Sequence, residues 1–217
     1  MSERRDLIRA TVRAALGLGM FAMVTVGVVA ATRALTEERI ADNRLAGRHR
    51  LLGEVLPSHL RDMPIRSILD NTLQLPANDA LGHPDTFQAW RVTHDERGTV
   101  ILPVIAGNGY NGDIELLVGI TDAGTVSGVR VTRHQETPGL GDKIERRKSD
   151  WIKSFNGRSL GDPDDDGWEV ASNGGEFDAF TGATITPRAV VQAVHRSLVY
   201  AENHRDRWQE TKQDTPQ

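Results

Sequence analysis

An uncharged run of 19 residues near the start of the chain, at positions 14–32, limits most strongly what this sequence can fold into. The run is rich in Ala, Val, Leu, Gly and Met, and a helix of about 20 such residues spans the hydrocarbon core of a bilayer. Cationic residues are retained on the cytoplasmic side of a membrane, and four arginines precede the run: Arg4, Arg5, Arg9 and Arg13. The pattern predicts one membrane anchor, with residues 1–13 in the cytoplasm and the rest of the chain exported.

A cleaved signal peptide is the alternative interpretation of the apolar run. Val29, Ala30 and Ala31 offer small residues of the type that a signal peptidase accepts. The run is long for a signal peptide, however, and helical sequence continues directly beyond it through Glu37 and Glu38. We therefore expect an uncleaved, single-pass anchor.

The exported part of the chain is acidic and contains no cysteine. Residues 1–33 carry five arginines against Glu3 and Asp6, so residues 34–217 carry a net charge of −7 within the total of −4. An acidic domain without a basic stripe argues against nucleic-acid binding. The lack of cysteine excludes disulfide bonds, Cys-ligated iron–sulfur clusters and thioether-linked haem. The seven histidines have no metal-ligand spacing, so no metal site is predicted.

From residue 86 onward the pattern is that of short strands joined by tight turns, which favours antiparallel pairing. Strands are predicted at residues 87–93, 99–106, 114–121 and 126–132, with turns at 95–98 and 122–124 and a return to the sheet at 168–171. Helices are predicted at residues 34–56, 142–155 and 187–205. The expected fold class is α+β, in which one N-terminal transmembrane helix is followed by an antiparallel or mixed β-sheet packed by helices.

The expected organisation along the chain follows from these elements. Residues 58–84 contain three prolines and have no assignable regular structure. The segments are a cytoplasmic N-terminus (1–13), an anchor (14–32), a helical and irregular membrane-proximal region (33–85), a ligand-binding domain (86–205) and a polar tail (206–217).

Asp178 to Thr184 spell D-A-F-T-G-A-T directly before the last predicted helix. Thr186 and Pro187 are typical of a helix start, with Thr as the N-cap and Pro at the first helical position. Unpaired N–H groups and the positive end of the helix dipole would favour a phosphate group near Thr184. Alone, T-G-A-T is compatible with an ordinary turn that precedes a helix.

Two glycine-rich loops accompany this motif. Residues 107–112 (G-N-G-Y-N-G) join two predicted strands and, on sequence alone, are compatible with a simple turn. Residues 134–144 (H-Q-E-T-P-G-L-G-D-K-I) follow a strand, and Gly139 and Gly141 would permit a tight loop with exposed N–H groups. Such a loop can bind an anion or the polar edge of a cofactor, although an ordinary strand-to-helix connection is the alternative.

The D-x-x-T-G-A-T string, the E-T-P-G-L-G-D-K-I run and the N-terminal anchor together resemble the G subunit of the Rnf/Rsx electron transport complex. This covalent-FMN family is related to the C subunit of the sodium-pumping NADH:quinone reductase. The similar region covers about residues 86–200. The D-K-I ending and the short overall length favour the Rnf family over its relative.

The resemblance implies a function and a cofactor. FMN is expected to be held by a phosphoester to Thr184, attached by a separate flavin transferase that uses FAD and a divalent metal. The chain would relay electrons within a membrane complex that couples electron transfer between ferredoxin and NAD to ion translocation. It would sit in the bacterial inner membrane with its main domain in the periplasm. The other residues expected to bind FMN are Asp178, Thr181, Gly182, Ala183, Glu136, Thr137, Gly139, Leu140, Gly141, Lys143 and Tyr110.

Two alternatives remain open at this point. The chain could be a C-type subunit of a sodium-pumping quinone reductase, or a flavin-free adaptor that joins the subunits of a membrane complex. In each case its partners are the other subunits of that complex.

Overall fold

The computed structural model describes residues 2–60, 71–94 and 97–210, and the chain divides into two compact units, residues 1–47 and 48–217. Parts of four predicted segments lie outside the described residues. These are the first residue of the N-terminus at 1–13, the unassigned stretch at 58–84, the turn at 95–98 and the polar tail from residue 206.

The first unit lies within helix α1, which runs from Ser2 to Val55 and confirms the predicted continuation of helix beyond residue 32. Its segment Ala15–Glu37 is long and apolar enough to cross a membrane, and none of that segment is buried within the protein. Thr25 and Thr32 donate hydroxyl hydrogen bonds of 2.7 and 2.8 Å to the carbonyl oxygens of Phe21 and Val28, four residues earlier. The hydroxyls are therefore satisfied inside the helix, as an apolar surrounding requires.

The second unit is built on a five-stranded sheet in which each strand pairs antiparallel with the one before it. The strands are β1 (Thr72–Leu75), β2 (Phe87–His94), β3 (Arg97–Gly109), β4 (Gly112–Thr121) and β5 (Val126–Arg133). The predicted α+β class with an antiparallel sheet is confirmed, and all four predicted strands in residues 87–132 are present. β1 lies in the stretch for which the sequence predicted no element.

One face of the sheet packs against helix α2 (Ile185–Asn203). Alternate residues of β3 and β4 point toward this helix and are buried, as period-two patterning requires: Val100, Leu102, Val104, Ile114, Leu116 and Val118. The predicted stripe of Val190, Val194 and Leu198 covers them from the helix side. A short helix α3 (Arg205–Glu210) follows. The larger of the two core clusters among the described residues lies in this layer.

The end of α1 covers the opposite face of the sheet. Leu52, Val55 and Leu56 are fully buried there, and with Leu60 they pack on the outward residues of the strands: Trp90, Val92, Ile101 and Leu117. The helix approaches closely because Gly119 and Gly128 present no side chain beneath it. Glu54 of the helix forms an ion pair of 2.8 Å with Arg130 of β5.

The predicted helix at residues 142–155 is wrong: this segment forms two short 3₁₀ helices, Gly141–Ile144 and Trp151–Phe155. The cause is competition from side chains for the backbone. Asp142 accepts a hydrogen bond from the N–H of Gly139, and Ser149 accepts one from the N–H of Trp151. Such local bonds stabilise turns at the expense of a continuous helix.

The predicted return to the sheet at residues 168–171 is also wrong. Val170 forms only an isolated bridge to Phe177, because the chain reverses through Gly174 (φ +91°) and packs back upon itself at Gly175. Trp168 is buried against Phe155 and Phe177, so aromatic packing holds the segment in place.

Candidate functional site

Thr184 lies at the first turn of helix α2, at the N-cap position immediately before Ile185. The predicted helix start is wrong by two residues, since Thr186 and Pro187 lie inside the first turn. Pro187 is tolerated there because the first N–H groups of a helix have no intrahelical partner. Thr184 is exposed, and within the described part of the chain its hydroxyl makes no capping hydrogen bond. It is therefore available for chemistry.

Thr186 has a different role from the predicted cap. Its side chain is fully buried and donates a hydrogen bond of 2.6 Å to Oε2 of Glu136. The hydroxyl turns into the protein because this carboxylate, 50 residues earlier in the chain, lies beneath the helix start. The bond ties the first turn of α2 to the loop that follows β5.

Glu136 connects three segments of the site: the loop after β5 in which it lies, the turn between β3 and β4, and the start of α2 with the residues just before it. It is only 4% exposed, and its second oxygen, Oε1, accepts a hydrogen bond of 3.1 Å from the N–H of Asn111, at the turn between β3 and β4. A Cβ atom at Gly109 or at Gly141 would lie 2.8 Å from one or other carboxylate oxygen. The glycines at these two positions therefore leave the space that the carboxylate occupies.

His134 fixes the start of the same loop. Its Nδ1 accepts a hydrogen bond of 3.1 Å from the N–H of Glu136, so the ring proton is on Nε2, which lies 3.0 Å from Glu145 Oε1. Partial burial opposes ionisation of Glu145, but hydrogen bonds from Arg147 and His134 and the charge of Arg147 outweigh it and hold the pKa of Glu145 below its ordinary value. The loop is thus held at both ends by polar contacts.

The residues between these ends form a tight turn. The N–H groups of Leu140 and Gly141 both donate to the carbonyl oxygen of Thr137 at 3.1 Å. Gly139 has a φ of +81°, which favours glycine, and its N–H donates to the buried carboxylate of Asp142 at 2.8 Å. The turn presents the side chain of Leu140 to solvent with 42% of its surface exposed.

The turn between β3 and β4 lies beside this loop. Asn111 donates from Nδ2 to the hydroxyl of Thr137 at 3.2 Å, and Asn108 donates to Gln192 of α2 at 3.4 Å. Tyr110 stands between these two anchored residues and is 65% exposed. The hairpin therefore presents an exposed aromatic side chain between two hydrogen-bonded residues.

Asp178 to Thr184 form the third segment. Gly182 has a φ of +83°, and a Cβ placed on it would lie 3.6 Å from the Leu140 side chain, so this segment contacts the preceding loop. The indole N–H of Trp151 donates to the carbonyl oxygen of Asp178 at 2.8 Å, and Lys143 lies 6.0 Å from the centre of the Phe180 ring. The Asp178 and Thr181 side chains are exposed, whereas Ala183 is partly buried.

The start of α2 is suited to a phosphate group, and the segments around it are suited to a ring system. The helix start supplies an exposed hydroxyl on Thr184 next to N–H groups and the positive end of a dipole, which favour a phosphate. Three exposed apolar side chains on the joined segments offer surface for a ring system: Tyr110, Leu140 and Ile185. Exposed apolar side chains on segments that contact one another can contribute to a binding surface.

Sequence analysis missed several residues that shape the site. Asn111, His134, Asp142 and Trp151 were not singled out, and Thr186 was given the wrong role. The position of Asn111 inside the G-N-G-Y-N-G run and of Asp142 directly after G-L-G were the available signals. The pairing of Thr186 with Glu136 had none, because the two residues are far apart in sequence.

The sequence models of two known families match the chain. One is described as the FMN-binding domain and matches residues 109–199, which include all three segments of the site. The other is the RnfG N-terminal region and matches residues 1–55. FMN is therefore the cofactor that the domain family binds.

A solved structure shares the fold. The C subunit of the Na⁺-translocating NADH-quinone reductase from Parabacteroides distasonis superposes with a TM-score of 0.54, covering 79% of this chain and 96% of its own. The sequences are 17% identical, so this likeness concerns the fold alone.

Curated relatives are much closer in sequence. The G subunit of the ion-translocating oxidoreductase complex of Pseudomonas aeruginosa strain UCBPP-PA14 is 47% identical over 204 residues, covering 92% of either chain. The G subunit of the same complex in Vibrio cholerae strain M66-2 is 46% identical over 188 residues, covering 86% of this chain and 88% of the relative. On these matches, the chain belongs to the family of G subunits of ion-translocating oxidoreductase complexes.

Proposed function

We propose that this chain is the FMN-bearing, membrane-anchored subunit of an Rnf-type complex, with the FMN phosphate esterified to the hydroxyl of Thr184. The observation that carries the proposal is the exposed Thr184 hydroxyl, without a cap bond within the described residues, at the start of α2 inside an FMN-binding domain. The complex would couple electron transfer between ferredoxin and NAD to ion translocation. Bound FMN would supply one-electron redox chemistry, and the chain would act as an electron carrier within this translocase.

Other residues would hold the cofactor without a covalent bond. Tyr110 and Leu140 offer apolar surface for the ring, and the turn at Gly139 and Gly141, whose N–H groups are bonded within the loop, would hold Leu140 in place. Further proposed contacts come from the segment around the phosphate and from the loop before it: Thr137, Lys143, Asp178, Thr181, Gly182 and Ala183. We retain residues 86–205 as the proposed FMN-binding segment.

A flavin transferase is the proposed maturation partner. Within the described residues no side chain that could act as a base is bonded to the Thr184 hydroxyl, so self-attachment has no support. The apolar segment Ala15–Glu37 supports a single-pass anchor, and the arginines before it support a cytoplasmic N-terminus with residues 34–217 on the periplasmic side of the inner membrane. The other subunits of the complex would be its partners in that membrane.

Mass analysis after co-expression with a flavin transferase tests covalent attachment. The intact chain should gain the mass of FMN less one water, and the modified peptide should contain Thr184. Thr184→Val keeps the shape of the side chain but deletes the hydroxyl, so it should abolish the adduct and the fluorescent band that survives SDS and boiling. Thr181→Val is the matched control, because Thr181 is an exposed threonine three residues away. Label that persists on Thr184→Val would refute the assignment, and a parent chain without label would favour the adaptor function.

A further inference from the structure

Glu136 combines deep burial with full use of both carboxylate oxygens at the point where the three segments of the site meet. Oε1 accepts from the N–H of Asn111 and Oε2 accepts from the hydroxyl of Thr186. We propose that Glu136 is a positioning residue that sets the Thr184 hydroxyl for flavin attachment, and that it does not contact the flavin itself. This inference rests on the proposed covalent site at Thr184.

The burial of Glu136 argues against direct contact with the cofactor. The residue is 4% exposed, and a Cβ atom added at Gly109 or at Gly141 would lie 2.8 Å from one of its carboxylate oxygens. Little room is left beside these oxygens for another group. In addition, a carboxylate that faced the phosphate of FMN would repel it, since both carry negative charge.

The hydrogen bond to Thr186 connects Glu136 to Thr184. Thr186 lies two residues after Thr184 in the same helical turn, and its fully buried side chain has its hydroxyl bound to Glu136. The orientation of the Thr184 hydroxyl therefore depends on how the first turn of α2 packs against Glu136. A displacement of about 1 Å at a reacting group can slow a reaction about 100-fold, so seating of this kind affects rate.

The other side of Glu136 is held equally firmly. Its N–H is bound by His134, and its partner Asn111 is also bound to Thr137 in the same loop. Asn111 belongs to the hairpin that carries Tyr110. Glu136 thus links the proposed attachment site to the proposed ring surface, and loss of its carboxylate would release both.

The test is the rate at which a flavin transferase labels the full-length, detergent-solubilised chain at Thr184. Glu136→Ala removes both acceptor oxygens and leaves the N–H of Asn111 and the hydroxyl of Thr186 without them, so it should slow labelling at least about tenfold. Glu136→Gln should keep a rate within about twofold of the parent. Its amide oxygen can still accept from Asn111, and its NH₂ can donate to the Thr186 hydroxyl, which accepts as well as donates.

Two further variants separate positioning from loss of folding. Thr186→Val keeps the volume of the side chain and deletes the donor, so it should slow labelling by a factor similar to Glu136→Ala, and the double variant should be no slower than either single variant. Glu169→Ala is the matched control, because Glu169 also binds the first turn of α2, through Arg188 at 2.9 Å, but on its solvent side. It should label at the parental rate. Near-UV circular dichroism, measured on every variant before labelling, establishes that each one is folded.

The outcomes are decisive in either direction. Labelling of Glu136→Ala and Thr186→Val at the parental rate would overturn the inference while leaving covalent attachment intact. Glu136→Gln as slow as Glu136→Ala would show that the negative charge, rather than the geometry, is required, and would also overturn it. Failure of the parent chain to label would instead refute the proposed function.

Discussion

The hydroxyl of Ser127 donates a hydrogen bond of 2.6 Å to the carbonyl oxygen of Val55, the last residue of helix α1. The last carbonyl groups of a helix have no partner within the helix, so a side chain of β5 satisfies one of them here. Gly119 and Gly128 lie beside this bond and meet the backbone around Val55. The sheet thus binds the end of the helix through one hydrogen bond and leaves room for its backbone at two glycines.

We expect Gly119→Ala to destabilise the domain by about 1–3 kcal/mol, the usual cost of forcing an extra group into a packed core. A Cβ atom at this position would lie 2.5 Å from the carbonyl oxygen of Val55 and would also meet the Ser127 hydroxyl. Urea unfolding followed by tryptophan fluorescence measures the loss. Gly161→Ala is the control, because no described atom lies within 4 Å of its Cβ position. Equal midpoints for the two variants would contradict the close approach.

We expect the ion pair between Glu54 and Arg130 to make stability depend on pH. Partial burial opposes ionisation of Glu54, but Arg130 and Arg50 outweigh it and hold the pKa of Glu54 below its ordinary value of 4.5. The contribution is therefore fully present above pH 4.5 and is lost as the pH falls through the pKa of the folded state. The stability difference between the parent and Glu54→Gln should be constant near neutral pH and shrink in acid.

The control for this prediction is Glu115→Gln, which breaks a more exposed pair with Arg133 at 3.0 Å. Exposed pairs contribute little to stability, so this variant should follow the parent at every pH. A Glu54→Gln difference that stays constant down to about pH 3 would contradict the assignment to Glu54.

We expect Gly141→Ala to slow flavin labelling and to destabilise the domain by about 1–3 kcal/mol. Its Cβ atom would lie 2.8 Å from Oε2 of Glu136 and 3.0 Å from the hydroxyl of Thr186, so the carboxylate or the helix start must shift. Gly107→Ala is a suitable control near the site, where the first contact of a Cβ is at 3.7 Å. If Gly141→Ala keeps the labelling rate and the stability of the parent, the loop can move to accept the added methyl group and the prediction is wrong.

We expect Tyr110→Ser to change the absorption spectrum of the bound flavin while leaving stability within about 0.5 kcal/mol of the parent, because the side chain is 65% exposed. Labelled protein measured by absorption, together with urea unfolding, tests both parts. Val199→Ser, an exposed apolar position near the other end of α2, should leave the spectrum unchanged. An unaltered spectrum in Tyr110→Ser would place the ring away from the flavin.

We expect a single span with the C-terminal domain outside the cytoplasm. A reporter fused after Gln217 should be active if it requires export and inactive if it requires the cytoplasm, because four arginines precede the apolar run. N-terminal sequencing of the purified chain that begins near Thr32 would instead show that a signal peptide had been removed.

The sheet was predictable because its pattern is local. Short apolar runs between turn residues mark β3 and β4 in the sequence, and the predicted ends of the four strands lie within three residues of those observed. β1 escaped prediction because it has only four residues, of which one is fully buried. Its place is set by pairing with β2, so that its own sequence carries little signal.

The site was predictable in its motifs but not in its internal contacts. Thr186 before Pro187 has the appearance of a cap, and local rules cannot distinguish it from a threonine that binds a distant carboxylate. The 3₁₀ turns at residues 141–155 depend on Asp142 and Ser149 binding backbone groups nearby. The buried pairs that order the site join residues whose proximity only the folded sheet establishes.

The cover that α1 provides for the second face of the sheet decides where a soluble fragment should begin. A fragment that starts at residue 48 keeps Leu52, Val55 and Leu56 on the sheet, whereas one that starts at residue 86 loses them together with β1. The shorter fragment would expose a contiguous apolar patch formed by Trp90, Val92, Ile101 and Leu117, and such patches promote aggregation. The residues at the end of α1 are thus required to keep the domain soluble.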